Sequence, residues 1–129
     1  MAPMPKVLLT EDDPLTMHVL QTFLQSQKFE VVPASDGAEA MALLENQMFD
    51  IVISDIQMQP MDGLTFLQTV RDKGNNMPFI IMTAHPRIES YIQAVHKLGA
   101  FEYIQKPLDL DILIVVIKRL LNSQQTAAS

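Results

Sequence analysis

The chain has 129 residues, no cysteine and a formal net charge of −6 at pH 7. This length suits a single domain with one hydrophobic core, and the absence of cysteine excludes disulfide bonds and thiolate metal sites. The negative charge opposes direct binding of the domain to nucleic acid. The sequence has neither an apolar stretch long enough to span a membrane nor a signal-peptide pattern, so we expect a soluble, cytoplasmic protein.

Short runs typical of β-strands alternate with longer helical runs along the sequence. In chain order the predicted elements are strand Val7–Thr10, helix Leu15–Gln25, strand Glu30–Pro33, helix Ala38–Asn46, strand Ile51–Ser54, helix Leu64–Lys73, strand Phe79–Thr83, helix Ile88–Leu98, strand Phe101–Ile104 and helix Asp109–Leu121. Five strand–helix units predict an α/β fold with helices on both faces of a parallel sheet. We predict one domain over residues 1–129, with its core at about 6–121 and frayed tails at 1–5 and 123–129.

Turn and cap residues support these boundaries. Asp36 and Glu39 match a capping box, in which each side chain bonds to the other's backbone N–H. Pro14 lies in the first turn of a predicted helix, where proline is tolerated. Gly99 follows a predicted helix end, where a residue in the left-handed conformation is favoured. Each of these boundaries therefore has a local explanation.

The last apolar run, Ile112–Ile117, is β-branched and continuous, so local propensity alone also allows a strand. Aspartates precede this run, and Lys118 and Arg119 follow it, which suits the two ends of a helix dipole. We therefore predict a helix. On a helical wheel its broad apolar face would pack on the sheet, whereas Ile112 and Val115 lie away from that face.

Charged residues follow three of the predicted strands. The acidic cluster Glu11-Asp12-Asp13 follows the first, Asp55 closes the third, and Lys106 follows the fifth. In the flavodoxin-like strand order 2-1-3-4-5 the first and third strands are neighbours, and ligands bind in the crevice at their carboxyl ends. Asp12 and Asp55 would repel each other there unless they share a proton or a cation. Oxygen ligands without histidine favour Mg²⁺, with Mn²⁺ or Ca²⁺ as substitutes.

Four short blocks occur in a characteristic order. They are Val7-Leu8-Leu9-Thr10-Glu11-Asp12-Asp13-Pro14, Asp55-Ile56-Gln57-Met58 with Met61-Asp62-Gly63, Ile81-Met82-Thr83-Ala84, and Tyr103-Ile104-Gln105-Lys106-Pro107. Each block alone is weakly specific, but together at these spacings they are highly specific. From Lys6 to about Leu121 the chain resembles the receiver domains of two-component response regulators, the CheY-like superfamily. The resemblance implies a flavodoxin-like, doubly wound (βα)5 fold with the strand order 2-1-3-4-5.

The resemblance also implies a role in phosphorelay signal transduction. Asp55 would accept the phosphoryl group of a phosphohistidine and form an acyl phosphate. Asp12, Asp55 and the backbone carbonyl of Gln57 would hold Mg²⁺, with Mn²⁺ as a substitute, and Glu11 would contribute through a water molecule. The cation would offset the negative charge of the incoming phosphoryl group.

Other implied roles concern the phosphorylated state. Lys106 and the Thr83 hydroxyl would each bind a phosphoryl oxygen, with the Ala84 N–H nearby. Tyr103 resembles the aromatic residue that turns inward when Thr83 moves. Because these contacts form only after phosphorylation, they would select the active conformation.

The resemblance also extends to residues in the loops around the site. Gln57 and His85 occupy positions that, in the family, help to set how fast water removes the phosphoryl group. The pair Gln59-Pro60 stands where the family commonly has proline one residue earlier, so we expect this loop to follow a different path. The family also has a cis peptide bond at the position of Lys106-Pro107, and we expect one here.

The implied partners are a sensor histidine kinase or a histidine phosphotransfer protein, together with an output domain or partner protein. We expect the output to use the surface near Tyr103, Ile112 and Val115, where a phosphorylation-dependent homodimer would also form. The segment Ala84–Leu121 resembles receivers attached to transcriptional activators. The sequence leaves open whether the receiver stands alone or was cut from a larger regulator.

Two other functions deserve comparison with this one. Haloacid dehalogenase-type phosphatases also use an Asp nucleophile with Mg²⁺, but they place a second Asp two residues later as general acid, and Gln57 cannot act in that way. A receiver-like interaction scaffold without phosphorylation should lack the acid pair or Lys106, and both are present. We therefore predict a signalling module that catalyses only its own phosphoryl transfer and dephosphorylation.

Overall fold

The computed structural model describes residues 4–128, with side chains as far as residue 123. In chain order its elements are β1 (Lys6–Thr10), α1 (Pro14–Ser26), β2 (Glu30–Ala34), α2 (Gly37–Asn46), β3 (Ile51–Asp55), α3 (Gly63–Asp72), β4 (Phe79–Thr83), α4 (Ile88–Tyr91) with a π-helical continuation (Ile92–Lys97), β5 (Glu102–Gln105) and α5 (Leu110–Ala128). Every predicted element is present. Each boundary lies within one residue of its predicted position, except the end of the last helix.

The five strands of the described chain form one parallel sheet in the order β2-β1-β3-β4-β5. The predicted α/β, flavodoxin-like doubly wound fold is therefore confirmed. β1 pairs with β2 on one side and with β3 on the other, so the crossover direction reverses at β1. Thr10 pairs with Ser54 in the register of these strands, which brings the residues that follow to the same edge of the sheet.

Alternating residues of each strand pack on opposite faces of the sheet. Val7 and Leu9 belong to a core cluster that includes side chains of α1 and α5. Leu8 belongs to a second cluster with side chains of α2, α3 and the π-helical segment. Strands buried on both faces read as continuous apolar runs, and this explains the unbroken hydrophobic strands of the sequence. In α5, Leu113 and Ile117 are buried against the sheet whereas Ile112 is exposed, as the helical wheel predicts.

Aspartate side chains cap α1, α2 and α3, and Asp109 caps α5 by accepting the Ile112 N–H at 3.2 Å. Asp13, Asp36 and Asp62 each accept a hydrogen bond from the backbone N–H three residues later. The predicted capping box is only half correct. The Glu39 carboxylate accepts hydrogen bonds from the hydroxyl and N–H of Ser35, at 2.8 and 3.4 Å, rather than from Asp36. The acidic side chain therefore supports the turn one residue before the cap.

The helix predicted over Ile88–Leu98 changes its hydrogen-bond pattern after one turn. Residues Ile88–Tyr91 are α-helical, and residues Ile92–Lys97 are π-helical. Gly99 follows with φ +70°, which confirms the left-handed residue predicted at this helix end. Propensity and periodicity do not distinguish a π-helical turn from an α-helical one, so the sequence gives no sign of the change.

The helix α5 extends beyond its predicted end at Leu121 and reaches Ala128. The expected frayed tail at 123–129 is therefore helical through residue 128. No glycine or proline ends the helix, and the Gln and Ala residues near its end favour helix. The expected frayed residues Met1–Pro3 and Ser129 lie outside the described residues. Between residues 4 and 128, no helix combines the length and the apolar character that a membrane span requires.

Gly63 begins α3 in close contact with the end of β3. Its N–H donates to the carbonyl of Ile56 at 2.9 Å. A Cβ atom at this position would lie 2.0 Å from the backbone oxygen of Asp55, far inside van der Waals contact. Only glycine therefore fits between the helix start and the strand end that carries Asp55.

We predict that Gly63→Ala lowers the free energy of unfolding by about 3 kcal/mol or more, because the new methyl group must displace backbone. Thr65→Ala, at an exposed position of the same helix, should change it by less than about 0.5 kcal/mol. Urea unfolding followed by circular dichroism measures both values. Similar stabilities for the two variants would contradict the close packing described for Gly63.

Candidate functional site

The predicted site residues lie together at the carboxyl edge of the sheet. Glu11 and Asp12 follow β1, Asp55 ends β3, Thr83 ends β4, and Lys106 follows β5. Each side chain is positioned by the strand before it, and the strand order makes neighbours of residues that are far apart in sequence. The crevice predicted from the sequence is therefore formed as expected.

Three carboxylates form the centre of this site. One ligand oxygen from each of Glu11, Asp12 and Asp55 lies within 4.8 Å of the others. Glu11 and Asp55 are 2% and 4% exposed, whereas Asp12 is exposed to solvent. Burial of like charges at this separation is unfavourable without cations.

The Lys106 ammonium lies between two of these carboxylates. Its Nζ donates to Glu11 Oε2 at 2.6 Å and to Asp55 Oδ2 at 2.8 Å. Glu11 also accepts the Asp13 N–H, at 3.1 Å. The sequence predicted that Glu11 acts on a metal through water but missed its direct ion pair with Lys106. Three carboxylates and one ammonium leave two negative charges in excess, which fits a divalent cation.

The titration behaviour of the pair follows from this arrangement. Burial raises the pKa of Glu11, and the charge of Asp55 adds to that effect, while the hydrogen bond from Lys106 opposes it. Burial alone would lower the pKa of Lys106, but its hydrogen bonds to Asp55 and Glu11, together with the negative charges of both residues, raise the pKa above its usual value. Lys106 is therefore held in its charged form.

The chemistry of the donor set fits Mg²⁺. All three candidate ligands are carboxylate oxygens, and Asp12 borders an open depression that Gln57, Gln59 and Asp62 also line. The Gln57 N–H donates to Asp55 Oδ1 at 3.3 Å, so the backbone of Gln57 lies against the phosphoacceptor candidate. A hard divalent cation with several water ligands suits such an open, oxygen-rich site.

Thr83 is fully buried and its hydroxyl has two partners. The hydroxyl donates to Gln57 Oε1 at 3.1 Å and accepts from the His85 N–H at 3.1 Å. The backbone carbonyl of Thr83 accepts the Lys106 N–H at 2.8 Å, which links β4 to the loop that carries the lysine. Ala84 is exposed beside these groups. Sequence reasoning missed the side-chain contact of Gln57 with Thr83.

Tyr103 lies on the edge strand β5 and is half-buried. Its hydroxyl accepts the Arg87 N–H at 3.4 Å, and its ring packs edge-to-face on Tyr91 with the centroids 5.6 Å apart.

The predicted output residues Ile112 and Val115 are 57% and 59% exposed on α5. Apolar residues of α4 and its continuation are also exposed, namely Ile88, Tyr91 and Ile92.

Two loops at the site contain cis peptide bonds. The bond at Lys106-Pro107 is cis, which confirms the prediction. The bond at Gln59-Pro60 is also cis, and the sequence predicted only that this loop would follow a path of its own. Both proline loops adjoin residues of the acidic cluster or its lysine.

The fold and the site together define an α/β protein of the doubly wound class with a cluster of carboxylates, a candidate cation site, at its switch point. The family model described as the response regulator receiver domain matches residues 7–118. The chain therefore belongs to the receiver domains of response regulators, the signalling domains of two-component systems.

Comparison with known proteins agrees with this assignment. The chain is 34% identical over 119 residues to regulatory protein AtoC of Escherichia coli (strain K12), covering 92% of this chain and 26% of AtoC. It is 37% identical over 111 residues to transcriptional regulatory protein GlrR of the same organism, covering 86% of this chain and 25% of GlrR. The chain thus spans about a quarter of the length of these relatives.

Solved structures share the fold over almost the whole chain. A CheY-like response regulator receiver domain from Methanospirillum hungatei JF-1 superposes with a TM-score of 0.90 at 26% identity, covering 96% of this chain and 98% of that one. The response regulator TrrA of Thermotoga maritima, in complex with Mg²⁺ and BeF, superposes with a TM-score of 0.82 at 30% identity, covering 92% and 100%.

We predict that Lys106→Met lowers the free energy of unfolding by about 3 kcal/mol in the presence of EDTA, because it leaves two buried carboxylates without their shared ammonium. Saturating Mg²⁺ should recover part of this loss and should stabilise the variant more than the wild type. Urea unfolding with EDTA or with Mg²⁺ measures both effects.

Lys73→Met is the matched control. Lys73 pairs with Glu45 at 3.0 Å, but both side chains are more than half exposed, so this change should cost less than about 1 kcal/mol. Equal losses in the two variants, or no dependence of the Lys106 variant on Mg²⁺, would contradict the proposed charge balance.

Proposed function

We propose that this receiver domain accepts a phosphoryl group on Asp55 from the phosphohistidine of a sensor histidine kinase or a histidine phosphotransfer protein. The observation that carries the proposal is the ion pair of Lys106 with Asp55 inside a cluster of three carboxylates. A buried carboxylate at a strand end, between a lysine and a candidate cation site, is arranged for attack on an electrophilic phosphorus.

The transfer is a displacement at phosphorus. One carboxylate oxygen of Asp55 forms a bond to phosphorus, the bond between phosphorus and the donor imidazole nitrogen breaks, and that nitrogen keeps the electron pair. Asp12, Asp55 and the backbone carbonyl of Gln57 would hold Mg²⁺, with Glu11 acting through water. The cation supplies positive charge where the phosphoryl oxygens approach the carboxylates.

The phosphorylated product is proposed to be held by Lys106, which already contacts Asp55, and by groups at the end of β4. Lys106 exchanges its carboxylate contact for a phosphoryl oxygen, and the Thr83 hydroxyl binds a second oxygen, with the Ala84 N–H beside it. These contacts form only after phosphorylation, so they shift the equilibrium toward the active conformation. Tyr103 leaves its contact with the Arg87 N–H when Thr83 moves.

A phosphatase of the haloacid dehalogenase type is less well supported. Such an enzyme needs a general acid two residues after the nucleophile. The residue at that place, Gln57, bonds to the Thr83 hydroxyl through its amide oxygen and has no acidic proton to transfer. Gln57 and His85 are instead proposed to affect the rate at which water removes the phosphoryl group.

The output is proposed to pass to an attached domain or a partner protein in the cytoplasm. The aligned region covers only about a quarter of the length of the relatives, and several of these are named transcriptional regulatory proteins. Transcription regulation by an attached output domain is therefore the working proposal. The domain itself, with its net charge of −6, is proposed not to bind nucleic acid directly. Its interaction surface is proposed to include Tyr103, Ile112 and Val115, and to support a homodimer after phosphorylation.

We predict that incubation with Mg²⁺ and acetyl phosphate adds one hydroxylamine-labile phosphoryl group at Asp55. Intact and peptide mass spectrometry locates the adduct. Asp55→Asn should abolish it, because an amide is not a nucleophile for this step. Asp62→Asn keeps a good helix cap in the same loop and should remain phosphorylated. Absence of an adduct and of Mg²⁺ binding would favour an unphosphorylated interaction scaffold.

We predict that Ile112→Glu weakens phosphorylation-dependent self-association by at least about tenfold, because it places a charge in the proposed apolar surface. Sedimentation with and without acetyl phosphate measures the association. Met48→Glu, at a residue that is 87% exposed just after α2, is the matched control and should have no effect. Self-association that is changed neither by phosphorylation nor by Ile112→Glu would contradict this role of α5.

A further inference from the structure

The Thr83 hydroxyl carries a single hydrogen, and in this structure that hydrogen is used. A threonine hydroxyl can donate one hydrogen bond and accept others. The donated bond goes to the amide oxygen of Gln57 at 3.1 Å, while the His85 N–H donates to the hydroxyl oxygen at 3.1 Å. Thr83 therefore cannot donate to a phosphoryl oxygen until it leaves Gln57.

The backbone explains why these two side chains meet. β3 and β4 are parallel neighbours in which Asp55 pairs with Met82, so Gln57 and Thr83 both lie just beyond this pair. The Gln57 N–H donates to Asp55 Oδ1 at 3.3 Å, which holds its backbone beside the phosphoacceptor. Gln57 thus contacts Asp55 through its backbone and Thr83 through its side chain.

We propose that Gln57 is a positioning residue for the conformational switch: its amide oxygen keeps the Thr83 hydroxyl engaged until a phosphoryl group on Asp55 competes for the same hydrogen. The inference rests on the proposed function of Asp55 and Thr83. A hydrogen bond to a charged phosphoryl oxygen is stronger than one to a neutral amide. After phosphorylation the Thr83 hydroxyl therefore donates to the phosphoryl oxygen instead of to Gln57. Without phosphorylation, the Gln57 contact keeps the inactive position of Thr83 favoured.

The proposal makes a thermodynamic prediction. A residue that stabilises only the inactive state weakens the binding of any ligand that selects the active state. Removing the Gln57 acceptor should therefore tighten the binding of a phosphoryl analogue, although it removes a contact of the site. If Gln57 merely supported the loop after β3, replacing it would instead weaken the binding of the phosphoryl analogue.

The experiment measures the affinity of beryllofluoride, a phosphoryl analogue, by titration calorimetry at saturating Mg²⁺. Gln57→Met keeps the length of the side chain and removes the acceptor, and Gln57→Ala is a second variant that removes it. Both should bind beryllofluoride about three- to tenfold more tightly than the wild type, the range expected for one neutral hydrogen bond. Gln25→Met, at an exposed position of α1, is the control and should match the wild type.

Thr83→Val separates a switch role from a structural one. This nearly isosteric change removes the hydroxyl, so adding Gln57→Met to it should change the affinity by less than about twofold. The chain has no tryptophan and two tyrosines, so tyrosine fluorescence in a Tyr91→Phe background reports on Tyr103 alone. With Gln57→Met, the Tyr103 signal should change at lower beryllofluoride concentration.

An unchanged or weakened affinity in both Gln57 variants would overturn the inference. The same gain in the presence and absence of the Thr83 hydroxyl would overturn it as well. If the wild type itself bound no beryllofluoride with Mg²⁺, the proposed function of Asp55 would fail, and the inference would fail with it. The wild-type titration therefore distinguishes failure of the site from failure of the Gln57 role.

Discussion

Repulsion among buried carboxylates is the constraint on which the site depends. Glu11, Asp12 and Asp55 present oxygens within 4.8 Å of one another, and two of the three residues are almost fully buried. The Lys106 ammonium offsets part of this charge through contacts of 2.6 and 2.8 Å. The remaining negative charge suits a divalent cation, and in the proposed function the same lysine would bind the phosphoryl group. The carboxylates and Lys106 that determine the stability of the resting site are thus the same residues that are proposed to carry out the phosphoryl transfer.

The sheet makes this cluster possible because its strand order joins distant parts of the chain. Glu11 and Lys106 are separated by 95 positions in sequence but form a hydrogen bond in space. The three central strands, β1, β3 and β4, are buried between two core clusters, which fixes the positions of their carboxyl ends. Gly63 lets α3 begin directly against the carbonyl of Asp55, which fixes the loop on the other side of the crevice.

Much of this arrangement could be predicted from the sequence. Apolar runs of strand length alternating with helical runs predict the α/β fold, and charged residues placed after the strands predict the position of the site. The contacts made by particular rotamers could not be predicted in this way. The Glu11–Lys106 ion pair and the Gln57–Thr83 hydrogen bond depend on where long, flexible side chains settle among several partners. The sequence underestimates the length of α5, because the small and polar residues after Leu121 resemble a frayed tail although several of them favour helix.

A phosphoryl group on Asp55 is proposed to become the new hydrogen-bond partner of both Lys106 and Thr83. A crystal structure of the protein with Mg²⁺ and beryllofluoride tests this proposal most directly. We predict beryllium bonded to an Asp55 oxygen, Mg²⁺ held by Asp12 and Asp55, and both Lys106 Nζ and the Thr83 hydroxyl bonded to fluorine. A structure in which Lys106 still bridges Glu11 and Asp55, with no beryllium on Asp55, would contradict the account.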